Sequence, residues 1–391
     1  MTRREFLVWS AALPVVADRV ATAGDADDVL AFLAEAVRDG TVPGAALIAS
    51  RDCRVRLERC FGTCCELGHR RARLTPITRH PLYSLSKLIT ATVVGMVKQE
   101  GRLDYDTPVA RLIPEFKGAG KEKITLRHCL THSAGLPNVP PKPARTAAEW
   151  DIALQTLCAA ETEWAPGSKT QYHAWSGAFL AAECARRVSG GKPWAELCRE
   201  KLFVPLGAQS LSFDLPKDTE PVAVVPQPDP AKPLPKTLKD VFSFAGHPGA
   251  GCFGTLADAL KVFHLHLREG VWDTQPLLAR EVFREIHTVQ FEEEISAARA
   301  AGRSPAHEPW GLGPLLRGNG PACDSQNWFG FHEQNSPGVF GHAGIDTLIG
   351  VGDRNSGVAL VFATTHSPKP PEKTMPLRNG VTNRVFAALG R

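Results

Sequence analysis

Ser84 and Lys87 stand three residues apart, immediately ahead of an apolar run from Leu88 to Val97. On a helical turn that spacing puts both side chains on one face, within reach of each other. A serine hydroxyl is a poor nucleophile at its own pKa and needs a base beside it. Lysine can be that base where burial disfavours its charged form, and a helix that is apolar on almost every side provides such burial. The helix N-terminus adds partial positive charge and free backbone N–H groups, which can hold a developing oxyanion. This is the chemistry of acyl transfer to serine. The same residues would equally suit a plain helix cap, with Ser84 or Ser86 satisfying backbone donors and Lys87 solvated. The spacing therefore needs support from the rest of the chain.

Three further stretches offer it. Pro166-Gly167-Ser168-Lys169-Thr170-Gln171-Tyr172-His173-Ala174 places a tyrosine in a loop before an apolar helix from Ala178 to Val188. Gly341-His342-Ala343-Gly344 precedes a strand, where small residues let a substrate backbone come close. His247-Pro248-Gly249-Ala250-Gly251 lies ahead of Thr255 and Asp258. Taken singly, each also reads as an ordinary core tyrosine, turn histidine or loop.

The elements that must carry these residues follow from periodicity. Asp27 to Arg38 has helical apolar spacing, and Pro43-Gly44 breaks it. Ala45 to Ser50 and Val55 to Phe61 read as two strands joined across Arg51-Asp52-Cys53. A second hairpin is expected from Thr347 to Gly352 and Val358 to Thr364. Between the hairpins the pattern is mostly helical, with Thr125 and Thr255 as N-caps. Pro221 to Pro235 reads as an irregular surface segment, and Met375 to Leu389 as a last helix. Strands near both ends with helices between them imply an α+β fold. Its antiparallel sheet would be built from N- and C-terminal segments, flanked by helices, with a helical insertion lobe.

Composition narrows the class. The chain has 391 residues, 43% hydrophobic and 22% charged, with a net charge of +4. Those values are ordinary for a globular protein, and so small a charge argues against a nucleic-acid partner. No apolar run approaches the roughly 20 residues that span a bilayer. At the start, Thr2-Arg3-Arg4-Glu5-Phe6-Leu7 opens an uncharged run to Ala17, and Ala21-Thr22-Ala23 offers a cleavage site. Paired arginines before a short apolar segment form the pattern of a twin-arginine signal over residues 1–23, which predicts an exported, periplasmic or extracytoplasmic protein. Residues 24–391 would then be one catalytic domain. Its α/β lobe would comprise about 24–82 and 300–391, and its mostly helical lobe about 83–299. The ten cysteines show no metal-site spacing, and Cys184 and Cys198 fit apolar helical patterns as small buried residues. Neither metal nor cofactor is expected.

In their order along the chain, these motifs resemble the serine β-lactamase-like superfamily. The closer match is the branch that holds class C β-lactamases, D-stereospecific peptidases and family VIII carboxylesterases. Ser84-Leu85-Ser86-Lys87 matches its S-x-x-K, Tyr172-His173-Ala174 falls at its Y-x-N, and His342-Ala343-Gly344 at its K-T-G or H-x-G. Thr131-His132-Ser133-Ala134-Gly135-Leu136 looks like its H-T-S-G-L loop, and Leu202-Phe203-Val204-Pro205-Leu206-Gly207 like its helix-ending P-L-G. Gly249-Ala250-Gly251 and Trp310-Gly311-Leu312-Gly313 complete the set.

The resemblance implies a β-lactamase/transpeptidase-like fold with Ser84 as the acylated nucleophile. It implies that Lys87 and Tyr172 share the proton work, with the base left open between them. The backbone N–H groups of Ser84 and Ile345 would form the oxyanion hole, and His342, Ala343, Gly344 and His173 would contact substrate. Ala174 replaces the asparagine that would bond a substrate amide, and His342 replaces the lysine that would hold a carboxylate. At neutral pH an imidazole of ordinary pKa is mostly uncharged. Both changes point to a small-molecule ester, hydrolysed by a carboxylesterase acting on short acyl groups. A β-lactamase, a D-amino-acid or peptidoglycan peptidase, and a non-hydrolysing penicillin-binding or sensor protein are the alternatives.

Overall fold

The computed structural model describes residues 23–65, 71–138, 144–217, 222–223, 237, 242–320 and 336–390. All but the end of the expected export signal therefore lies outside the described residues, as does most of the proline-rich segment from Pro221 to Pro235.

Helix α1 (Ala23–Arg38) leads into strands β1 (Gly44–Arg51), β2 (Arg54–Cys65) and β3 (Arg71–Arg73). A 3-10 turn, Tyr83–Leu85, then runs into α2 (Ser86–Lys98). The helical portion follows with α3 (Leu126–Leu130), α4 (Ala147–Ala159), α5 (Ser176–Val188), α6 (Leu256–Leu267) and α7 (Arg280–Ile286). The chain closes through β4 (Leu315–Leu316), β5 (Val339–Gly344), β6 (Leu348–Asp353), β7 (Val358–Thr364) and α8 (Thr374–Leu389).

The strands form one antiparallel sheet in the order β3-β2-β1-β7-β6-β5-β4. Its centre is the pairing of the two ends of the chain, β1 on β7, from Ala45 opposite Thr364 to Arg51 opposite Val358. Side chains alternate across a strand. Ala45, Leu47 and Ala49 thus pack with Val29 and Leu33 of α1 and Val381 and Val385 of α8. Ala46 and Ile48 face the other way, into the core shared by Leu88 of α2 and Leu260 and Phe263 of α6. A sheet covered on both faces needs apolar residues at every position, which is why β1 and β7 read as near-continuous apolar runs.

Helix α2 is buried at every residue from Ser86 to Val97. The Trp310-Gly311-Leu312-Gly313 segment explains part of that burial. Gly313 has φ +109, and its N–H donates to Leu130 O at 3.1 Å. A Cβ there would collide with the Cβ of Ala91 on α2.

Both hairpins and the 83–98 stretch form where expected, and the side chain of Thr125 accepts the His128 N–H as an N-cap. One expectation shifts. Gly341 to Gly344 does not precede a strand but lies within β5. Its small residues weaken the local strand signal, and pairing with β6 overrides that. Cys53, Cys60, Cys129, Cys158, Cys184, Cys198 and Cys252 are free thiols, and Cys129, Cys184, Cys198 and Cys252 among them are buried.

Gly313→Ala should lower stability by more than about 1 kcal/mol, because alanine is strained at positive φ and its methyl meets α2. Urea unfolding checks this; an unchanged midpoint would mean that the segment is not docked on the helix.

Candidate active site

The site begins at the turn before α2. Tyr83 takes φ +47, a left-handed conformation that is an outlier for a bulky residue. The surrounding contacts hold it there. Leu82 N–H donates to Cys252 O at 2.8 Å, Cys252 N–H donates to Ser86 Oγ at 3.1 Å, and the Tyr83 ring packs on Phe244 at 5.2 Å between centroids. Ser86 is fully buried in this structural bond. Ser84 instead faces a cavity.

Ser84 Oγ lies 3.1 Å from Lys87 Nζ and 2.8 Å from the Tyr172 hydroxyl. Lys87 is buried, and its amine also donates to Gly249 O at 2.9 Å. Burial pushes the amine down to about 7, because desolvation penalises the ammonium. Burial pushes the Tyr172 phenol far above its ordinary value, opposed in part by the bond to Ser84. Near neutral pH the phenol is therefore a proton donor, and the amine is the group able to accept a proton. With a neutral amine, the 3.1 Å contact is one in which the serine hydroxyl donates.

The Thr131–Leu136 loop sets the position of Tyr172. Ser133 O accepts Gly167 N–H at 2.8 Å and Gly135 O accepts Glu163 N–H at 2.7 Å. His132 O accepts Gln171 N–H at 2.9 Å, and His132 Nδ1 accepts His173 N–H at 3.2 Å. The His132 ring lies 4.6 Å from that of Tyr172 and 4.5 Å from that of Trp310. Sequence reasoning gave His132 and Trp310 no individual role, although both fall in motifs that it singled out. Their aromatic type within short glycine-containing motifs was the available signal.

A cavity of about 380 Å³ opens over Ser84, lined by Tyr83, Ser84, Tyr172, Ala174, Trp175, Ala250, Trp310, His342, Ala343 and Ile345. Among the described residues, no charged side chain appears in that lining. His342 is buried and contacts Ala343 O through Nδ1 at 2.8 Å. Burial and the nearby Lys87 push its imidazole down to about 3, so it is neutral. Ile345 takes φ +46, unfavourable for a β-branched residue, and its carbonyl accepts from the Arg378 guanidinium.

Two of the expected substrate contacts are placed elsewhere. His173 is buried, its ring stacked on Trp164 at 5.2 Å, and is absent from the cavity lining. Gly344 is also absent from it: a Cβ there would lie 2.8 Å from Leu82 O and 3.0 Å from Tyr83 Cβ. Its missing side chain admits the protein's own turn before α2. That close approach brings Ile345 and Ser84 to the same cavity.

The profile of the family described as Beta-lactamase matches residues 29–381. The chain belongs to the beta-lactamase family. Among relatives of this beta-lactamase family member, it is 32% identical over 146 residues to "Esterase/beta-lactamase LipL" of Mycobacterium tuberculosis, covering 37% of this chain and 33% of that one. It is 28% identical over 265 residues to "Esterase EstB" of Burkholderia gladioli, covering 58% and 66%. These matches span only about a third to two thirds of the relatives' length. The solved structure of "a family VIII carboxylesterase" superposes with a TM-score of 0.70 at 23% identity, covering 93% of this chain and 98% of that one, which shows a shared fold.

Labelling of Ser84 by a fluorophosphonate should follow the state of Lys87. Besides Ser84 and Tyr172, the groups named around the amine are His132, His247 and His342, each held below its ordinary value. The ammonium dominates below about 7, so labelling should fall as pH drops through that value and level off above it. A rate that stays flat through that range would rule the amine out as base.

Proposed function

We propose that the protein is a serine hydrolase that works through an acyl-enzyme on Ser84 and acts on uncharged carboxylic esters. The observation that carries this reading is the meeting of Lys87 Nζ, Ser84 Oγ and the Tyr172 hydroxyl on the cavity wall.

In this reading the neutral Lys87 amine takes the Ser84 proton as Oγ adds to the ester carbonyl. The carbonyl oxygen becomes the oxyanion and takes N–H bonds from Ser84 and Ile345. As the tetrahedral intermediate collapses, the C–O bond to the alcohol breaks. Tyr172 gives its proton to the departing alkoxide, and the proton that Lys87 took from Ser84 returns to the Tyr172 oxygen, the amine lying 5.0 Å from the centre of that ring. Water then attacks the acyl-enzyme with the proton steps reversed, releasing the acid and restoring the serine hydroxyl.

The preference for esters rests on what the cavity lining lacks. A β-lactam or a peptide C-terminus brings a carboxylate, and burying it without a cation costs its hydration. The described lining offers only a neutral imidazole, His342, at the position discussed above, and Ala174 has no amide group to read a substrate amide. The name of one relative, "Esterase EstB", supports this preference, while that of LipL includes both esterase and beta-lactamase.

Turnover of p-nitrophenyl butyrate, compared with that of a chromogenic cephalosporin, tests the reading with Ser84→Ala as control. Ester turnover that exceeds lactam turnover and vanishes in the variant is the expected result. Equal efficiency on the cephalosporin would favour a β-lactamase, and no turnover of either would favour a binding protein. Tyr172→Phe should reduce kcat by about 10²–10⁴, the usual contribution of a placed proton donor, with thermal unfolding unchanged. Near wild-type turnover would remove Tyr172 from the mechanism.

A further inference from the structure

Lys87 reaches Ser84 on a long, freely rotating stem, and such a side chain is fixed only where its head is tethered. Among the described residues its amine has two hydrogen-bond partners, the Ser84 hydroxyl it serves and the carbonyl of Gly249. The second partner is therefore its anchor. The direction of that carbonyl is decided by the turn from His247 to Gly251.

Several bonds fix the turn. Thr90, one helical turn beyond Lys87 on α2, donates its hydroxyl to Pro248 O at 2.7 Å. Ala250 N–H and Gly251 N–H both donate to His247 O, at 3.0 and 2.7 Å. Gly249 N–H donates to the His247 side chain, at Nδ1, at 3.0 Å. A side-chain acceptor for the N–H two residues on is the geometry of an Asx-turn, supplied here by an imidazole. The His247 ring meets Trp175 edge-on at 5.4 Å and lies 5.5 Å from Phe179. Both of those residues follow Tyr172 closely in the chain. Gly249 presses on the same segment, since a Cβ there would lie 2.9 Å from Ala174 O. One imidazole thus joins the turn that anchors the amine to the segment that carries the phenol.

We propose that His247 is a positioning residue for Lys87: by accepting the Gly249 N–H, it holds the Gly249 carbonyl where that carbonyl aims the amine at Ser84. Because Nδ1 accepts, the ring proton sits on Nε2. Burial and the neighbouring Lys87 push His247 down to about 3, so it stays a neutral acceptor wherever the amine is neutral. The inference rests on the proposed acylation of Ser84.

The test compares His247→Leu, which fills the space without an acceptor, with His247→Asn, whose amide oxygen can accept the same N–H. The readouts are kcat and KM for p-nitrophenyl butyrate, the rate of fluorophosphonate labelling at Ser84, and thermal unfolding. His247→Leu should lower kcat and the labelling rate by about ten- to a hundredfold, the scale of a sub-ångström to ångström misplacement, with KM nearly unchanged. His247→Asn should recover most of both. If the leucine variant does not fold, His247→Ala takes its place. Equal losses in the asparagine and leucine variants, or losses that track unfolding temperature or KM, would reduce His247 to a packing residue and overturn the proposal. Wild-type rates in the leucine variant would do the same while leaving acylation of Ser84 intact. A wild-type protein not labelled at Ser84 would remove the functional reading, and this inference with it.

Discussion

A primary amine sealed in an apolar helix, with a carbonyl and a hydroxyl for company, sets the terms for everything around it. The drop of Lys87 from 10.5 to about 7 corresponds to a cost on the order of 5 kcal/mol for the charged form. The unfolded chain would hold that proton up to the ordinary lysine value, so the fold bears the cost at and below about pH 7. The cost diminishes as pH rises towards 10.5. His132, His247 and His342 are each pushed below the ordinary imidazole value, with Lys87 among the causes. The site thus surrounds the Lys87 amine with neutral donors and acceptors, which leaves the amine as the group among them that changes charge near neutral pH.

Holding that arrangement takes local strain. Tyr83, His132 and Ile345 all have positive φ without being glycine. One adjoins the nucleophile, one backs the phenol, and one follows the strand that ends at the cavity. Each such residue costs of the order of 1–3 kcal/mol unless its surroundings over-determine it. Here the determinants are visible: the Cys252 backbone bonded to Leu82 beside Tyr83, the backbone bonds on both sides of His132, and the Arg378 guanidinium on the Ile345 carbonyl. Rigid packing of the two cores against the sheet supplies the remainder.

The parts of the site legible in the sequence were those fixed by short-range geometry. Ser84 and Lys87 are one turn apart, and a turn is local. Both hairpins announce themselves by short apolar runs joined by polar turns. Tyr172 required the order of motifs along the chain, since nothing in its own neighbourhood says that it reaches Ser84. His173 shows where such reading stops. Tyr172 and Ala174 line the cavity while His173 between them turns to Trp164, which is the two-residue alternation of extended chain. A motif matched as three consecutive residues conceals that alternation. Gly344 was assigned correctly as a place of close approach but to the wrong neighbour, because sequence cannot say which backbone arrives.

The pairing of β1 with β7 also governs when the protein can become active. During synthesis the stretch from Tyr83 to Lys98 leaves the ribosome long before residues 339 to 364 exist. Until then one side of that helix has no sheet to lie on, and the turn before it lacks the close neighbour that Gly344 provides. Contacts so far apart in sequence form late and slowly, and the waiting apolar helix is a natural client for chaperones. A truncated or stalled chain would carry its serine and lysine in an open, hydrated segment, with the amine at its ordinary charge and no cavity over the hydroxyl.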